Sequence, residues 1–422
     1  MKHHEDVAVI SELKIRNFKS LENVDLKLGH FNLLVGANAS GKSNFLDVLR
    51  FLQGVGNGFT AGEILNGKPP SPTTLQWNGI RGGAEFIAFR KPDGARAETS
   101  VLDATFSSEE ISKALGNDLT YSLTCSSGTG DSHFTGESFS SGREIFKPAY
   151  YQSSSKSEAP ILSPKIIETL SKKIKIASKL ENLFEIDKDT PEFWGPGHAL
   201  GCALYVSSHL RDMQFLDPAP ITLRGYATKV ERLGESGEGF AALIHEIESN
   251  GSKPALLEWL KELRPDEVDD IYALEGLNND FMIAVKEGNK EFRGPSISDG
   301  TLRFIALAAA FFQPSMPKIL VIEEIEKGLH PSRLRLLLEL MRSQSKRMGT
   351  QVFATTHSPT LLNWLTEEDR KTTFVCTRDA ESGATKMRSL AEIPKLEELI
   401  HKDYHLDQLF EEGWLESVLH ES

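Results

Sequence analysis

The sequence feature that most constrains this chain is the loop from Gly36 to Ser43, which has the spacing G-x-x-x-x-G-K-[ST]. An apolar run, 31–35, precedes the loop, and a run of helical character, 44–49, follows it. This order of strand, loop and helix directs backbone N–H groups and the positive end of a helix dipole at one anion. Lys42 can reach the β- and γ-phosphates of a triphosphate, and the Ser43 hydroxyl can bind Mg²⁺. The predicted phosphate-binding residues are Gly36, Ala37, Asn38, Ala39, Ser40, Gly41, Lys42 and Ser43.

Composition excludes several classes of protein. The chain has 422 residues, 39% of them apolar and 25% charged, which is typical of a globular protein of about two to three domains. No apolar run approaches the roughly 18 residues that span a bilayer, and residues 1–6 lack the apolar core of a secretory signal. Its three widely spaced cysteines fit neither a disulfide framework nor a zinc site. We therefore expect a cytoplasmic protein with no membrane partner.

Net charge limits how the chain could bind nucleic acid. The formal net charge of −13 argues against a surface that is basic throughout, so DNA binding would need a local patch. Residues 164–184 offer one, because lysines flank an apolar stripe of helical spacing there. These lysines are Lys165, Lys172, Lys173, Lys175 and Lys179. They form either a solvated helix face or a contact with a phosphate backbone.

The segments around the loop indicate how the chain is organised. Residues 10–18 and 21–28 have the pattern of two short strands ahead of the loop strand, an order that fits an ATP-binding-cassette head better than a simple GTPase. Residues 101–284 combine loop-like and helical stretches without a long heptad repeat, so a compact, largely helical insertion is expected. Gln76 is either an ordinary surface residue or the glutamine that contacts Mg²⁺ and water in cassette heads.

A second group of polar residues lies in the last third of the chain. Ser298 and Gly300 stand in a turn that opens an apolar helix, which is the setting of a helix cap and of a second anion site. Four apolar residues, 319–322, then end in Glu323 and Glu324. This pattern is typical of a buried parallel strand with two acids at its carboxyl end.

Each acid is predicted to have its own role. Glu323 is expected to hold Mg²⁺ together with Ser43, and Glu324 to polarise the water that attacks the γ-phosphate. His357 follows the next apolar strand, 351–355. A histidine at such a strand end can hydrogen-bond either the γ-phosphate or the attacking water. We therefore predict Glu324 and His357 as the catalytic residues.

Taken in order, these motifs resemble the SMC/RecF/OLD-like branch of ABC ATPases, in particular the compact bacterial AAA-family ATPases. Gly36 to Ser43 match the Walker A loop, residues 297–301 the signature, and residues 319–324 the Walker B strand. His357 matches the switch histidine. Residues 328–331 match the D-loop region but lack its usual aspartate.

The turn at residues 17–20 is similar to the N-terminal strand turn of this family, which contacts the nucleotide, so Lys19 is a further expected ligand. The resemblance implies ATP and Mg²⁺ as ligands. It also implies a head-to-tail homodimer, open to higher oligomers, in which Ser298 and Gly300 of one copy face the P-loop of the other. The short stretch after His357 leads us to expect no fused Toprim nuclease.

The resulting fold class is α/β: a P-loop NTPase with an ABC-type ATPase head, a mixed sheet and a largely helical insertion. Its expected parts are an ATPase lobe with Walker A, the insertion, a second ATPase lobe and a helical tail, at residues 1–100, 101–284, 285–395 and 396–422. Two functions remain open. One is an ATP hydrolase coupled to DNA or a partner effector, in DNA repair or antiphage defence. The other is an ATP-gated scaffold that holds a separately encoded nuclease or toxin and hydrolyses ATP only for release.

Overall fold

A computed structural model describes residues 9–70, 76–126, 132–142, 144–146, 196–263 and 268–420. The strands in these ranges are β1 (Val9–Phe18), β2 (Leu21–Lys27), β3 (Phe31–Val35), β4 (Thr99–Ser107), β5 (Leu119–Ser126), β6 (Phe134–Ser141), β7 (Glu144–Phe146), β8 (Met213–Leu216), β9 (Asp270–Glu275), β10 (Phe281–Glu287), β11 (Lys290–Arg293), β12 (Ile319–Ile322), β13 (Gln351–Thr356), β14 (Thr373–Arg378) and β15 (Thr385–Ser389). The α-helices are α1 (Lys42–Gly56), α2 (Ala61–Asn66), α3 (Glu109–Leu115), α4 (Pro196–Arg211), α5 (Pro220–Leu223), α6 (Phe240–Ser249), α7 (Lys253–Leu263), α8 (Asp299–Ala309), α9 (Pro331–Met348), α10 (Glu367–Lys371), α11 (Leu396–Ile400), α12 (Leu406–Glu411) and α13 (Trp414–His420).

A six-stranded sheet of order β15-β14-β3-β13-β12-β8 lies at the centre. Its strands are parallel except for β15, which pairs antiparallel with β14 at one edge. The strands β3, β12 and β13 are buried along their whole length, which explains why their apolar residues are consecutive rather than alternating. Their carboxyl ends meet at one edge of the sheet, so the P-loop, the paired acids and His357 lie at the same edge. The predicted mixed sheet is confirmed.

Apolar side chains cover both faces of this sheet. In β3, Leu33 and Val35 belong to one core layer and Leu34 to the other, because successive side chains of a strand alternate. Helices α8 and α9 cover the first layer. Helices α1 and α4 and a second, antiparallel sheet of order β2-β1-β4-β5-β6-β7 cover the other. Each fully buried leucine contributes roughly 1.5–3 kcal/mol, so the two layers together hold the strand ends where the polar motifs lie.

The predicted domain boundary at residue 100 does not hold. Strand β4 crosses that position and pairs antiparallel with β1, and β5 and β6 continue the same sheet. Strand β8 joins the parallel sheet beside β12. Residues 101–284 are therefore a helical insertion only in part, since their described strands extend both sheets of the ATPase head. The other limits of the domain plan remain predictions.

The helical part of this region is divided more finely than the sequence indicated. Residues 240–263 form two helices, α6 and α7, separated at Gly251, whose φ of +78° favours glycine. A three-stranded antiparallel sheet, β11-β10-β9, packs on α6. The lysine-rich segment 164–184 lies outside the described residues. Among the described helices, none combines the length and the apolar character that a bilayer-crossing segment requires.

Candidate active site

The P-loop joins β3 to α1 by a path that only glycine allows at two positions. Gly41 has a φ of +105°, and a Cβ atom there would lie 2.0 Å from the side chain of Thr385. A Cβ atom on Gly36 would lie 2.3 Å from the carbonyl oxygen of Cys376. The antiparallel hairpin β14–β15 therefore packs directly against the loop. This close approach holds the loop in the curled form that exposes its N–H groups.

Lys42 and Ser40 have polar groups positioned for a ligand. Lys42 Nζ donates to the carbonyl oxygens of Gly36 and Ala37, at 2.6 and 2.8 Å. Burial lowers the pKa of the Lys42 ammonium, while surrounding acidic groups act against that shift. Ser40 Oγ is buried and has no hydrogen-bond partner among the described residues. Asn38 and Ala39 are exposed at the tip of the loop. The loop therefore offers a buried cation and an unpaired hydroxyl where phosphate oxygens would bind.

The predicted metal ligands are in contact. Ser43 Oγ donates to Glu323 Oε1 at 3.1 Å, although the two residues are far apart in the sequence. Hard oxygen ligands of this kind suit Mg²⁺, which takes its remaining ligands from phosphate and water in nucleotide sites. No group of three or more His, Cys, Asp or Glu side chains among the described residues could hold a metal ion by itself. The hydroxyl and carboxylate thus fit a Mg²⁺ ion that arrives with a nucleotide.

Arg81, which the sequence analysis did not select, lies beside these ligands. Its guanidinium contacts Glu323 Oε1 at 3.4 Å, Asp47 Oδ1 at 3.2 Å and the carbonyl oxygen of Ser43 at 2.8 Å. Gln76, the glutamine considered for this place, instead bonds to Asn78 and is exposed. A cation therefore already bridges the two carboxylates. The only feature of the sequence that indicated this role of Arg81 was the Arg-Gly-Gly turn at residues 81–83.

Lys19 lies at the same cavity but is engaged with the protein. Its Nζ donates to Asp47 Oδ2 at 2.5 Å and to the carbonyl oxygen of Arg81 at 2.6 Å. Burial lowers the pKa of Lys19, and the Asp47 carboxylate opposes that shift. The cavity has a volume of about 480 Å³ and is also lined by Ser43 and Asn44 at the start of α1. The role of Lys19 as a nucleotide ligand stays a prediction.

Glu324 has an unusual backbone conformation at the end of β12. Its φ is +50°, in the left-handed region that a residue with a side chain seldom adopts. Its N–H donates to Thr355 Oγ1 at 3.0 Å. The buried Arg303 donates to the carbonyl oxygens of Glu323 and Glu324, at 3.2 Å each. Hydrogen bonds with Thr355 and Arg303 thus hold the strained backbone of Glu324 from two sides. Such strain is frequent where a side chain must be aimed at a reacting group.

Arg303 links the paired acids to the signature helix. It lies on α8, is 2% exposed, and also donates to Asp217 Oδ1 at 2.8 Å and to the carbonyl oxygen of Pro218 at 2.6 Å. Asp217 accepts a second ion pair from Lys327. Helix α8 is thereby bonded to the backbone that carries Glu323 and Glu324. The feature of the sequence that could have indicated this role of Arg303 was its position as a single arginine within an apolar helical run.

His357 follows β13 and is bonded to Glu326. Glu326 Oε1 accepts from the backbone N–H of His357 at 2.6 Å, and His357 Nδ1 lies 2.7 Å from the same oxygen. The second carboxylate oxygen of Glu326 is buried without a hydrogen-bond partner among the described groups. Glu326 was not selected from the sequence, although it stands two residues after Glu324.

The signature turn is open, whereas the P-loop is enclosed. Ser298 caps α8 by accepting from the N–H of Thr301 at 3.2 Å, and it is exposed. A Cβ atom on Gly300 would lie 2.5 Å from the carbonyl oxygen of Gly328. Arg224 pairs with Asp299 and donates to the carbonyl oxygen of Ile297 at 2.9 Å. Neither Ser298 nor Gly300 is among the described residues that line the cavity beside the P-loop.

Two family models match adjoining parts of the chain. The family described as "AAA ATPase domain" matches residues 9–191. The family described as "AAA domain, putative AbiEii toxin, Type IV TA system" matches residues 206–363. The first range contains the P-loop, and the second contains the signature turn, the paired acids and His357.

Two proteins match short stretches. One, "ATP/GTP phosphatase" of Helicobacter pylori, is 32% identical over 100 residues, which cover 23% of this chain and 27% of that protein. The other, "Uncharacterized protein 050L" of Invertebrate iridescent virus 6, is 39% identical over 71 residues, or 16% of this chain and 7% of that protein. The matched stretches thus span about a quarter of the first relative and under a tenth of the second.

One solved structure is similar over most of the chain. It is described as "Crystal structure of the SmcHead bound to the C-winged helix domain of ScpA". The similarity covers 90% of this chain and 98% of that chain, with a TM-score of 0.50 and 14% sequence identity. At that identity the likeness shows the fold alone. The predicted ABC-type head fold is confirmed.

Proposed function

We propose that this chain, an SMC/RecF-like AAA ATPase by sequence and fold, binds ATP with Mg²⁺ and hydrolyses it. The observation that carries the proposal is the 3.1 Å contact between Ser43 Oγ and Glu323 Oε1. It joins the P-loop to the acidic end of β12 and leaves Glu324 as the next carboxylate along the chain. A hydroxyl, a metal-side acid and a second acid in this order are the parts that hydrolysis of a γ-phosphate requires.

Each side chain has a separate role in this proposal. Lys42 exchanges its bonds to the loop carbonyls for bonds to phosphate oxygens, and Ser43 and Glu323 hold the metal. Mg²⁺, when bound, neutralises charge on the β- and γ-phosphates. Glu324 orients and polarises the attacking water, and His357 acts at the same end of the nucleotide.

Glu324→Gln tests the hydrolytic role directly. This change keeps the size and the hydrogen-bonding capacity of the side chain but removes the charge that polarises water. We expect the turnover of ATP to fall about 10²-fold or more, which is roughly 3 kcal/mol of barrier, while equilibrium binding of ATP·Mg²⁺ is retained. Glu339→Gln, on the exposed face of α9, is the matched control. Near-normal turnover in Glu324→Gln would exclude Glu324 from this role.

The open signature turn supports an ATP-dependent homodimer. Ser298 and the N–H of Gly300 lie at the start of α8, where a helix dipole favours an anion, and neither residue is among the described residues that line the cavity beside the P-loop. A second copy related by a two-fold axis would bring them to the γ-phosphate held by the first. Two chains would then complete two sites.

We further propose that this closure is coupled to DNA or to a partner effector, in DNA repair or antiphage defence. The predicted DNA contact, residues 164–184, lies outside the described residues. If DNA is the partner, it should stimulate ATP turnover, and changing Lys172, Lys173 and Lys175 to Glu should weaken binding and flatten its salt dependence. If wild-type protein with ATP shows no salt-sensitive DNA binding, the proposed coupling to DNA is excluded.

A second candidate function is an ATP-gated scaffold for a separately encoded nuclease or toxin. The description of the family that matches residues 206–363, which names a type IV toxin–antitoxin system, favours it. The net charge of −13 also suits a protein partner better than a phosphate backbone. A scaffold should hold its partner in the Glu324→Gln variant with ATP, and DNA should leave its turnover unchanged.

A further inference from the structure

The contact between Glu326 and His357 is placed to control the histidine ring. A single oxygen, Glu326 Oε1, accepts from both the backbone N–H and the ring Nδ1 of His357. The Glu326 side chain is 11% exposed, whereas the His357 side chain is 46% exposed. The ring is therefore held along its Nδ1 edge by a nearly buried carboxylate, and Nε2 lies on the other edge.

The partner of Nδ1 determines which ring nitrogen carries the proton. An ionised carboxylate oxygen only accepts hydrogen bonds, so Nδ1 must donate. In the neutral ring, Nε2 is then a hydrogen-bond acceptor. Phosphate oxygens are acceptors as well, whereas a water molecule can donate. For the neutral ring, the contact therefore distinguishes between the two partners that the sequence left open for His357.

The backbone around this pair is already connected without the carboxylate. The N–H of Ile325 donates to the carbonyl oxygen of Thr355 at 3.1 Å, and the N–H of Glu324 donates to Thr355 Oγ1 at 3.0 Å. Two hydrogen bonds thus join the end of β12 to the end of β13. The Glu326 carboxylate adds a third bond, to the backbone N–H of His357, and its contact with the ring is the contribution that the two backbone bonds cannot supply.

We propose that Glu326 is a positioning residue that fixes His357 with its proton on Nδ1, so that Nε2 accepts a hydrogen bond from the attacking water rather than contacting the γ-phosphate. This rests on the proposed function, because it assumes that His357 acts at the hydrolytic site. Glu326 itself touches neither the nucleotide nor the water in this arrangement. Its effect on turnover passes through the imidazole.

A double-mutant cycle of ATP turnover tests whether Glu326 acts through His357. We expect Glu326→Leu to lower kcat about tenfold or more, with KM changed less than about twofold. Added to His357→Ala, the same change should cost less than about twofold more, because the ring it positions is absent. Glu326→Gln, whose amide oxygen still accepts, should restore most of the activity. Equal losses in both backgrounds, or a loss in ATP binding that matches the loss in kcat, would overturn the proposal.

A second measurement does not depend on hydrolysis. ¹⁵N spectra of protein labelled in its 12 histidines, with His357→Ala for assignment, report which ring nitrogen carries the proton. We expect a protonated Nδ1 for His357 in the wild type and in Glu326→Gln, and loss of that signature in Glu326→Leu. A proton on Nε2 in the neutral wild-type ring would contradict the proposal even if the protein hydrolyses ATP. Wild-type protein without turnover would refute the proposed function, and these spectra would still decide the position of the proton.

Discussion

The P-loop and the signature turn are both helix starts with an essential glycine, but their surroundings differ. The P-loop is enclosed: Gly41 packs on Thr385, and Lys42 is 8% exposed. The signature turn is open: Ser298 is exposed and bonds to its own helix through Thr301. In the proposed function, the first turn is a complete anion site within a single chain, whereas the second is completed only by another copy. The same local motif can therefore serve binding in the first case and assembly in the second.

Lys42→Ala should give the largest effect, because it removes the cation from the complete site. Charge-assisted hydrogen bonds contribute about 1.5–3 kcal/mol each, so the affinity for ATP·Mg²⁺ should fall by about 10²-fold or more. Lys371→Ala, an exposed lysine on α10, is the control. Equilibrium binding of a fluorescent ATP analogue measures the effect. Unchanged affinity in Lys42→Ala would contradict the assignment of the loop.

Ser298→Arg should separate assembly from binding. The bulky cation would block the approach of a second chain, so the ATP-dependent dimer of the Glu324→Gln variant should weaken by about 30-fold or more, as at the centre of an interface. Binding of ATP to the single chain should stay intact. Sedimentation of both proteins with and without ATP·Mg²⁺, in the absence of other partners, measures this. A mass that is independent of nucleotide, or a dimer that Ser298→Arg leaves intact, would refute the shared site.

Replacing each turn's glycine by alanine compares how tightly the two turns are held. Gly41→Ala places a Cβ at φ +105° and 2.0 Å from Thr385, so the free energy of unfolding should fall by about 2 kcal/mol. Gly300→Ala meets the carbonyl oxygen of Gly328 at 2.5 Å but gains helix propensity, so the loss should be nearer about 1 kcal/mol. Urea unfolding measures both. A larger loss for Gly300→Ala would mean that the signature turn is the more constrained of the two.

Arg224→Ala should have the smallest effect. Its ion pair with Asp299 is exposed on the aspartate side and its hydrogen bond to the carbonyl oxygen of Ile297 is only partly buried, so the loss in unfolding free energy should stay below about 1 kcal/mol. Affinity for ATP should not change, because this contact belongs to the open turn. The measurements are urea unfolding and ATP binding side by side. A drop in ATP affinity would show that the signature turn affects the P-loop within one chain.

The sequence predicted best the elements that carry a motif or a continuous apolar run. β1, β3, β12 and β13 lie within one residue of the expected strands. The last three are buried at every position, whereas β1 mostly alternates between buried and half-buried positions, and burial in a sheet imposes both patterns. The strand β4 was missed, since the half-buried positions that alternate with its buried ones are Thr, Asp and Ser except for Val101, so the stretch resembles a loop. Its partner, β1, lies more than eighty residues earlier, and local pattern does not identify such a partner.

The sequence by itself determined the phosphate loop, the paired acids and the order of the motifs, because these depend on short-range geometry and on the chemistry of single residue types. Only the tertiary structure decided which side chains contact the residues of these motifs and hold them in place. Arg81 contacts Glu323 across 242 residues of chain, and Glu326 contacts His357 across 31. Such contacts arise where strand ends converge at one edge of a sheet, and their identity depends on packing that no local spacing records.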